Sequence, residues 1–282
     1  MHDWSTLGAG MDDLIDGFYR SSSGIVDGHT VDLSRVDVTH PWALGVSCLL
    51  LIERQQFTDK RVILPMDEGT LQYLKRMRFD ERLKELGYMD AVDRFSSIAI
   101  EEREDLNVQE ITHCRYVDEF NARLGRFERM FRNFGLNDQD AKRALVIFGE
   151  LGNNVFDHNL GNWPTNFSGS IVIAQNYPSF KRIECAIGDA GVGFLGSLRA
   201  AFPELKDDIA AIQKGLKGYT GRIGEDRGNG LQTIQNWTIK DFHGILNIHS
   251  GGGLVQVDEQ GIQTKEVMPV VGTIAQFVIY YT

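Results

Sequence analysis

Several features common in other classes of protein are missing from this chain of 282 residues. Its three cysteines, Cys48, Cys114 and Cys185, lie far apart and form no CxxC pair, so neither a disulfide framework nor a cysteine-built metal site is expected. This cysteine usage favours a reducing compartment and predicts a cytoplasmic protein. No glycine-rich string ends in Lys followed by Ser or Thr, which excludes a P-loop.

Long apolar runs and concentrated positive charge are missing as well. The most apolar segment, Trp42 to Ile52, is far shorter than the roughly 20 residues of a membrane-spanning helix, and it predicts a buried helix instead. Met1 to Tyr19 is acidic and mixed, unlike a signal peptide. The formal net charge is -10 and Lys and Arg are scattered, so neither a membrane nor a nucleic acid is expected as a partner.

The first third of the chain alternates short apolar strands with helices. The predicted elements are a strand at 30–34, a helix at 41–55, a strand at 61–65 and a helix at 69–77. Such a βαβα order favours parallel strands covered by helices. A polar stretch from Ser97 to Glu110 marks the predicted boundary between two domains, 1–105 and 106–282, and its pattern is compatible with an edge hairpin or with a linker.

The second part is predicted to combine helices with a larger sheet. Phe120, Leu124, Phe127 and Phe131 recur at helical spacing within 116–134, and Asn137 is typical of the cap of the following helix. Further strands are predicted at 170–176, 181–188, 244–249, 254–257 and 273–281, with a helix at 229–240. We expect a mixed sheet with helices stacked on one face.

The helix that follows Asn137 carries the first chemically informative pattern. Glu150, Asn154 and Asp157 share one face, and a carboxylate and an amide one turn apart can hold a water and a Mg²⁺ ion. The opposite face is an apolar stripe, formed by Ala144, Phe148, Leu151 and Val155. Gly149 and Gly152 lie in the same turn, although a helical glycine costs about 1 kcal/mol relative to Ala. This local conflict favours a functional site, with a solvated polar face as the alternative.

A second cluster, Asp189-Ala190-Gly191-Val192-Gly193, follows a strongly apolar strand. A carboxylate there suits a ligand that donates a hydrogen bond, such as the amino group of adenine. The string from Gly191 to Gly196 also matches the GxGxxG pattern of dinucleotide-binding folds. That alternative needs a second parallel strand after the helix, whereas Glu204 to Leu216 is charged and helix-like, and Asp189 would repel a pyrophosphate.

The third cluster is a glycine-rich polar segment that leads into a helix. It contains Gly218, Thr220, Gly221, Arg222, Arg227, Gly228, Gly230 and Leu231. Backbone amides at a helix N-terminus bind phosphate oxygens, and an arginine adds positive charge. Taken alone, this segment is explained more simply as an ordinary connection.

Taken in order, the clusters resemble the GHKL superfamily, which includes gyrase, Hsp90-type chaperones, histidine kinases and mismatch-repair ATPases. The motifs, over 137–282, are Glu150-x-x-x-Asn154, Asp189-x-Gly191-x-Gly193, Gly228-x-Gly230-Leu231 and Gly272-Thr273. The resemblance implies a Bergerat-type α/β sandwich that binds ATP and Mg²⁺.

The same resemblance implies a role for each site residue. Glu150 would polarise the attacking water or hydroxyl, Asn154 would ligate Mg²⁺, and Asp189 would bind adenine. Gly193 and Thr273 would assist Asp189, and the other nucleotide-binding residues would be Gly191, Thr220, Arg227, Gly228, Gly230 and Leu231. The segment from Gly196 to Gly228 would form a lid over the triphosphate. His158 resembles the end of this motif in anti-sigma-factor serine kinases, and a structural role is expected for it.

The first third resembles, more weakly, a STAS domain, the small βαβα module that partners such kinases. The likeness covers 30–33, 39–45, 61–64 and 73–79. STAS domains that are regulated by phosphorylation carry a serine at the start of the first long helix, where this chain has Thr39-His40-Pro41. Phosphorylation of this domain is therefore not implied.

Two kinds of function follow from these expectations. In an enzyme, Glu150 would activate water to hydrolyse ATP, or a protein hydroxyl to accept its phosphoryl group. In a binding-only regulator, ATP would close the lid and change the affinity for a protein partner. Glu150 favours the enzyme, and hydrolase versus kinase stays open. A homodimer through the helix at 116–134 is compatible with the sequence, as is burial of that helix within one chain.

Overall fold

The computed structural model of the chain describes residues 26–35, 40–100, 107–159, 161–163, 165–221 and 229–282. Within this part, a small N-terminal sheet precedes a five-stranded sheet. The fold is therefore a mixed α and β structure, as predicted.

The first third forms the predicted parallel strand pair. Its elements are β1 (Val26–Asp27), β2 (Thr30–Asp32), α1 (Pro41–Arg54), β3 (Arg61–Ile63), α2 (Glu68–Arg76), α3 (Phe79–Glu85) and α4 (Met89–Val92). β2 pairs in parallel with β3 across α1, and antiparallel with β1. Pro41 stands in the first turn of α1, where its fixed φ suits a helix and its missing N–H leaves no hydrogen bond unmade.

The second part contains the larger sheet and the helices that carry the motifs. Its elements are β4 (Val108–Cys114), α5 (Val117–Asn133), α6 (Asp138–Asn159), β5 (Ser170–Tyr177), β6 (Arg182–Asp189), α7 (Gly193–Leu198), α8 (Asp208–Leu216), α9 (Asn229–Asn236), β7 (Ile245–Asp258) and β8 (Gly261–Tyr280). The strand order is β4-β5-β6-β8-β7.

The expected mixed pairing of this sheet is wrong, because all four of its described strand pairs are antiparallel. The short turn at Pro178–Phe180 joins β5 to β6, and a two-residue turn joins β7 to β8. Connections this short can join only antiparallel neighbours, since parallel strands need a crossover of a dozen residues or more.

Two strands are also longer than predicted. The expected strands at 244–249 and 254–257 are parts of the single strand β7, and β8 starts well before Thr273. The pairing register of β7 with β8 shifts between Ser250 and Gly253. A glycine run in a strand marks such a bulge as often as it marks an end, which explains the error.

Helices cover both faces of the five-stranded sheet, in contrast to the expected single face. On one face, α5 and α6 share a core with the strands, in which Phe120, Phe127 and Phe148 are fully buried. On the other face, α1 packs against β6 and β8, and a Cβ at Gly45 would overlap the side chain of Ile274. Residues of the first third and of the sheet therefore share one hydrophobic core.

This packing buries the apolar run of α1 and the aromatic residues of α5. Every residue of α1 from Pro41 to Ile52 is buried, as expected for the apolar run. Phe120, Phe127 and Phe131 of α5 are buried within the chain, so this stripe is not available to a second copy. Within the described ranges, no helix combines the length and the apolar character that crossing a membrane requires.

Candidate functional site

Helix α6 begins and is oriented as the sequence predicts. The backbone N–H groups of Gln139 and Asp140 both donate to Asn137 Oδ1 at 3.0 Å, which confirms Asn137 as the cap. The stripe of Ala144, Phe148, Leu151 and Val155 is buried. On the other side, Glu150 and Asn154 are half-buried, whereas Asp157 is exposed.

Gly152 has a packing role that the sequence does not reveal. A Cβ at this position would overlap the ring of Phe120 on α5. At Gly149, in contrast, the nearest atom to an added Cβ would be a Leu124 methyl at 4.0 Å. The close contact of two helices thus explains Gly152 without any ligand.

Asp189, the last residue of β6, is a carboxylate in the protein interior. The side-chain Nδ2 of Asn159 and the backbone N–H of Gly191 donate to its Oδ1 at 2.8 and 2.9 Å. Burial raises the pKa of the Asp189 carboxyl to about 7, although the hydrogen bonds from Gly191 and Asn159 oppose this shift. Both hydrogen bonds go to Oδ1, which leaves Oδ2 as the acceptor for a further donor.

Glycines shape the backbone around Asp189. Gly193 and Gly272 have φ values of +70° and +73°, which residues with a Cβ rarely adopt. A Cβ at Gly272 would overlap the carbonyl oxygen of Asp189, and one at Gly193 would lie 2.8 Å from Ser250 Oγ. Gly272 therefore permits the close approach of β8 to the end of β6, and Gly193 permits that of α7 to Ser250 of β7.

Thr273 lies opposite Asp189 in the pairing of β6 with β8. Its Oγ1 donates to Ser250 Oγ at 3.0 Å, and Ser250 donates in turn to the carbonyl of Gly272 at 3.1 Å. The backbone N–H of Phe194 donates to Ser250 Oγ at 2.9 Å. Ser250 thus joins β7, β8 and the start of α7 beside Asp189.

These elements line a cavity that is partly open to solvent. Its lining includes five residues that the sequence singled out, namely Asn154, Asp189, Gly193, Leu231 and Thr273. Apolar walls come from Leu151, Val155, Ile187, Leu198, Ile248 and Ala275. A few polar groups on apolar walls are typical of small-molecule sites.

Glu150 and Gly230 meet at one side of this cavity. A Cβ at Gly230 would lie 2.8 Å from Oε2 of Glu150, so the carboxylate faces the first turn of α9. Each of the two precedes a lining residue, Leu151 and Leu231 respectively. The structure therefore brings the first and third sequence clusters into contact.

Other predicted site residues are placed less centrally or lie outside the described part. Gly191 supports Asp189 from the adjoining turn, and Thr220 follows the lining residue Tyr219. Arg227 and Gly228, with Arg222, lie outside the described residues. Of the predicted lid, the structure describes 196–221, which contains α8.

The dinucleotide-binding alternative lacks its structural context. β6 is antiparallel to both of its neighbours, β5 and β8. The GxGxxG pattern functions in a βαβ unit in which a parallel strand follows the helix, and here α7 is followed by α8. The match at Gly191–Gly196 is therefore a coincidence of spacing.

His158 lines the cavity, although only a structural role was expected for it. Four further lining residues were missed by the sequence interpretation, namely Asn159, Phe194, Ser197 and Tyr219. One signal was present for Asn159, because it stands four residues after Val155, at a position of the apolar stripe. A polar residue on a buried face needs a hydrogen-bonding partner. No local pattern identifies the other three.

The donor groups around the cavity do not form a metal site by themselves. Among the residues that the structure describes, no three or more His, Cys, Asp or Glu side chains are arranged to hold a metal ion. Asn154 contributes an amide to the lining. One amide supplies a single ligand, so a Mg²⁺ ion here would have to take its other ligands from substrate phosphates and waters.

Comparison of the chain with family models, with curated proteins and with solved structures gave no significant match. The motifs and the cavity that they line are therefore the basis for assigning a function.

Proposed function

We propose that this chain binds ATP in the cavity, in the manner of the GHKL superfamily that its motifs resemble. The observation that carries the proposal is the buried Asp189 carboxylate on the cavity wall, with its Oδ1 held by two donors. A buried carboxylate is costly unless it is protonated or paired. A ligand that donates to Oδ2 offsets that cost, and the amino group of adenine is such a donor.

The base would lie at the inner end of the cavity. Ile187, Ile248 and Ala275 supply apolar surface next to Asp189, which suits the faces of a purine. Thr273, opposite Asp189, would add a hydroxyl at the edge of the base. Selectivity for adenine over guanine would follow, because guanine has a carbonyl, which cannot donate a hydrogen bond, at the ring position where adenine has its amino group.

The phosphates would lie towards Asn154 and the start of α9. The backbone amides of the first turn of a helix favour anions, and Gly230 stands in that turn. Asn154 would hold Mg²⁺ together with the phosphates, and Mg²⁺ would neutralise part of their charge when bound. The nearby Glu150 carboxylate would be separated from the phosphates by the attacking molecule.

Glu150 supports an enzyme more than a sensor. A carboxylate beside the phosphate end would accept the proton of an attacking water or of a protein hydroxyl. The second candidate is a binding-only switch, in which nucleotide binding changes the affinity for a protein partner. The approach of Glu150 to the first turn of α9 supports the enzyme, since the phosphates are proposed to lie near that turn.

The first third would act as a STAS-like module that joins this site to a protein partner. Its parallel β2 and β3, connected by α1, support this part of the proposal. The partner, a homodimer and the cytoplasmic setting remain predictions. If the module is a substrate, Ser34 and Thr39 are the hydroxyls to examine, and Thr39 lies outside the described residues.

The proposal is tested by thermal protection and by turnover. We expect Mg²⁺ with ATP or ADP to raise the melting temperature, and GTP and NAD to have little effect. Release of phosphate by the wild type would identify a hydrolase, and transfer of labelled phosphate to a protein would identify a kinase. Protection without turnover would identify the switch. Absence of protection by ATP and ADP would refute nucleotide binding.

A further inference from the structure

Asn159, at the end of α6, has a side-chain amide that is fully engaged inside the protein. The residue is 3% exposed. Its Nδ2 donates to the carbonyl of Val155 at 2.8 Å and to Asp189 Oδ1 at 2.8 Å. Its Oδ1 accepts from the backbone N–H of Val192 at 2.9 Å. One side chain thus connects the last turn of α6, the end of β6 and the turn before α7.

These partners fix which way round the amide stands. A backbone carbonyl can only accept and a backbone N–H can only donate, so Val155 and Val192 determine the positions of Nδ2 and Oδ1. Consequently a donor, and not an acceptor, faces Asp189. Oδ1 of the Asp189 carboxylate accepts this hydrogen bond. Oδ2 then remains as the acceptor for a ligand in the cavity.

Gly191 leaves the space that this amide occupies. A Cβ at Gly191 would overlap the amide group of Asn159. The φ of Gly191 does not lie in the left-handed region, so the backbone conformation alone does not require glycine there. Glycine is needed for space, which ties Gly191 of the second sequence cluster to Asn159 at the end of the helix that carries the first cluster.

We infer that Asn159 is a positioning residue of the proposed nucleotide site, which orients the Asp189 carboxylate towards the base and holds the turn from Asp189 to Val192 against α6. The consequence for nucleotide binding rests on the proposed function, whereas the control of Asp189 by Asn159 does not. Asn159 itself would not touch the reacting atoms.

A pH profile separates this role from a merely structural one. The N–H of Asn159 stabilises the charged form of Asp189, so Asn159→Ala should move the deprotonation midpoint of Asp189 upwards by about one pH unit. In this variant the affinity for ATP should decrease as the pH is lowered through the same, upward-shifted midpoint. Asn153→Ala is the matched control, because Asn153 lies on the same helix but does not line the cavity.

Among the described residues, two other titratable groups line the cavity, His158 on α6 and Tyr219 after α8, and the Glu150 carboxylate lies at one side of it. The charge of Asp189 should therefore be followed directly, through the ¹³C resonance of its carboxyl group, beside the affinity measurement. Gly191→Ala provides a second perturbation, since its methyl group would displace the Asn159 amide without changing any titratable group. It should shift the Asp189 midpoint in the same direction.

The expected result is an upward shift of the carboxyl midpoint in Asn159→Ala and Gly191→Ala, and the wild-type midpoint in Asn153→Ala. Unchanged midpoints, with ATP binding weakened equally at every pH, would overturn the inference. If the wild type binds no ATP at any pH, the proposed function fails, and the carboxyl titration still decides the role of Asn159. Should Asn159→Ala not fold, Asn159→Ser and Gly191→Ala decide it.

Discussion

The two carboxylates that the sequence singled out stand in different surroundings. Asp189 is buried at the end of a central strand and is held by two hydrogen bonds. Glu150 is half-buried on a helix and faces a glycine at the start of α9. Two acids in unlike environments can perform unlike tasks, because burial and hydrogen bonds decide when each is charged and what it can reach.

Under the proposed function, this difference would assign one task to each residue. A fixed, buried acceptor suits recognition of a base, which needs a constant geometry. A more exposed carboxylate beside a helix start suits proton transfer, which needs access to water or to a partner's hydroxyl. Substitutions of the two residues should therefore separate turnover from binding.

The largest expected effect is on turnover in Glu150→Gln. Loss of a general base lowers the rate by about 10²- to 10⁴-fold. The affinity for ATP should change little, because Glu150 is not proposed to contact the adenine ring. The measurement is phosphate release or transfer at saturating ATP. Asp157→Asn, an exposed acid on the same helix, is the control. Turnover that survives in Glu150→Gln would remove Glu150 from the chemistry.

Asp189→Asn should show the reverse pattern, with weaker binding as its primary effect. The change preserves shape but presents an amide N–H where the nucleotide needs an acceptor. Loss of a hydrogen bond to a charged group costs about 1.5–3 kcal/mol, which weakens binding by about 10- to 100-fold. Displacement of a fluorescent ATP analogue measures this, and an affinity equal to that of the wild type would exclude Asp189 from the site.

The same variant should change the dependence of stability on pH. The pKa of Asp189 is about 7 in the folded protein, against 3.8 as its ordinary value. Between these values the folded state binds more protons, so the free energy of unfolding falls as pH rises from about 4 to about 7, by at most about 1.4 kcal/mol per unit. Urea titrations should show this slope reduced in Asp189→Asn. Parallel profiles for the two proteins would show that Asp189 titrates normally.

The helix that carries Glu150 and Asn154 offers a smaller contrast between two neighbouring glycines. Gly152→Ala should destabilise the protein by about 1–3 kcal/mol, because the methyl group would overlap Phe120. Gly149→Ala should stabilise it by about 0.5–1 kcal/mol, since the added Cβ has room and Ala favours a helix. Chemical denaturation measures both, and equal effects would refute the packing explanation of Gly152.

Local features of the fold were predictable from the sequence. The cap at Asn137, the buried helix α1 and the strand that ends at Asp189 each depend on neighbours within a few residues. Local spacing likewise identified Asn154 and Asp189, whose shared cavity then follows from the fold.

Features that depend on distant partners were not predictable in this way. Asn159 acts through Asp189, which lies 30 residues away in the sequence. The cover of the second sheet face depends on the fit of Gly45 to Ile274. The stretch 97–110 was interpreted as an edge hairpin or a linker, and the rest of β4 was not predicted because the strand buries only Gln109, Ile111 and Cys114. The spacing of residues along the chain does not reveal such long-range contacts.

Calorimetric titration of the wild-type chain with ATP in the presence of Mg²⁺ tests the central claim most directly. We expect saturable binding of one ATP per chain, with an affinity that rises with pH up to about 7 as Asp189 loses its proton. No measurable binding, or the same affinity in Asp189→Asn as in the wild type, would contradict a nucleotide site built on Asp189.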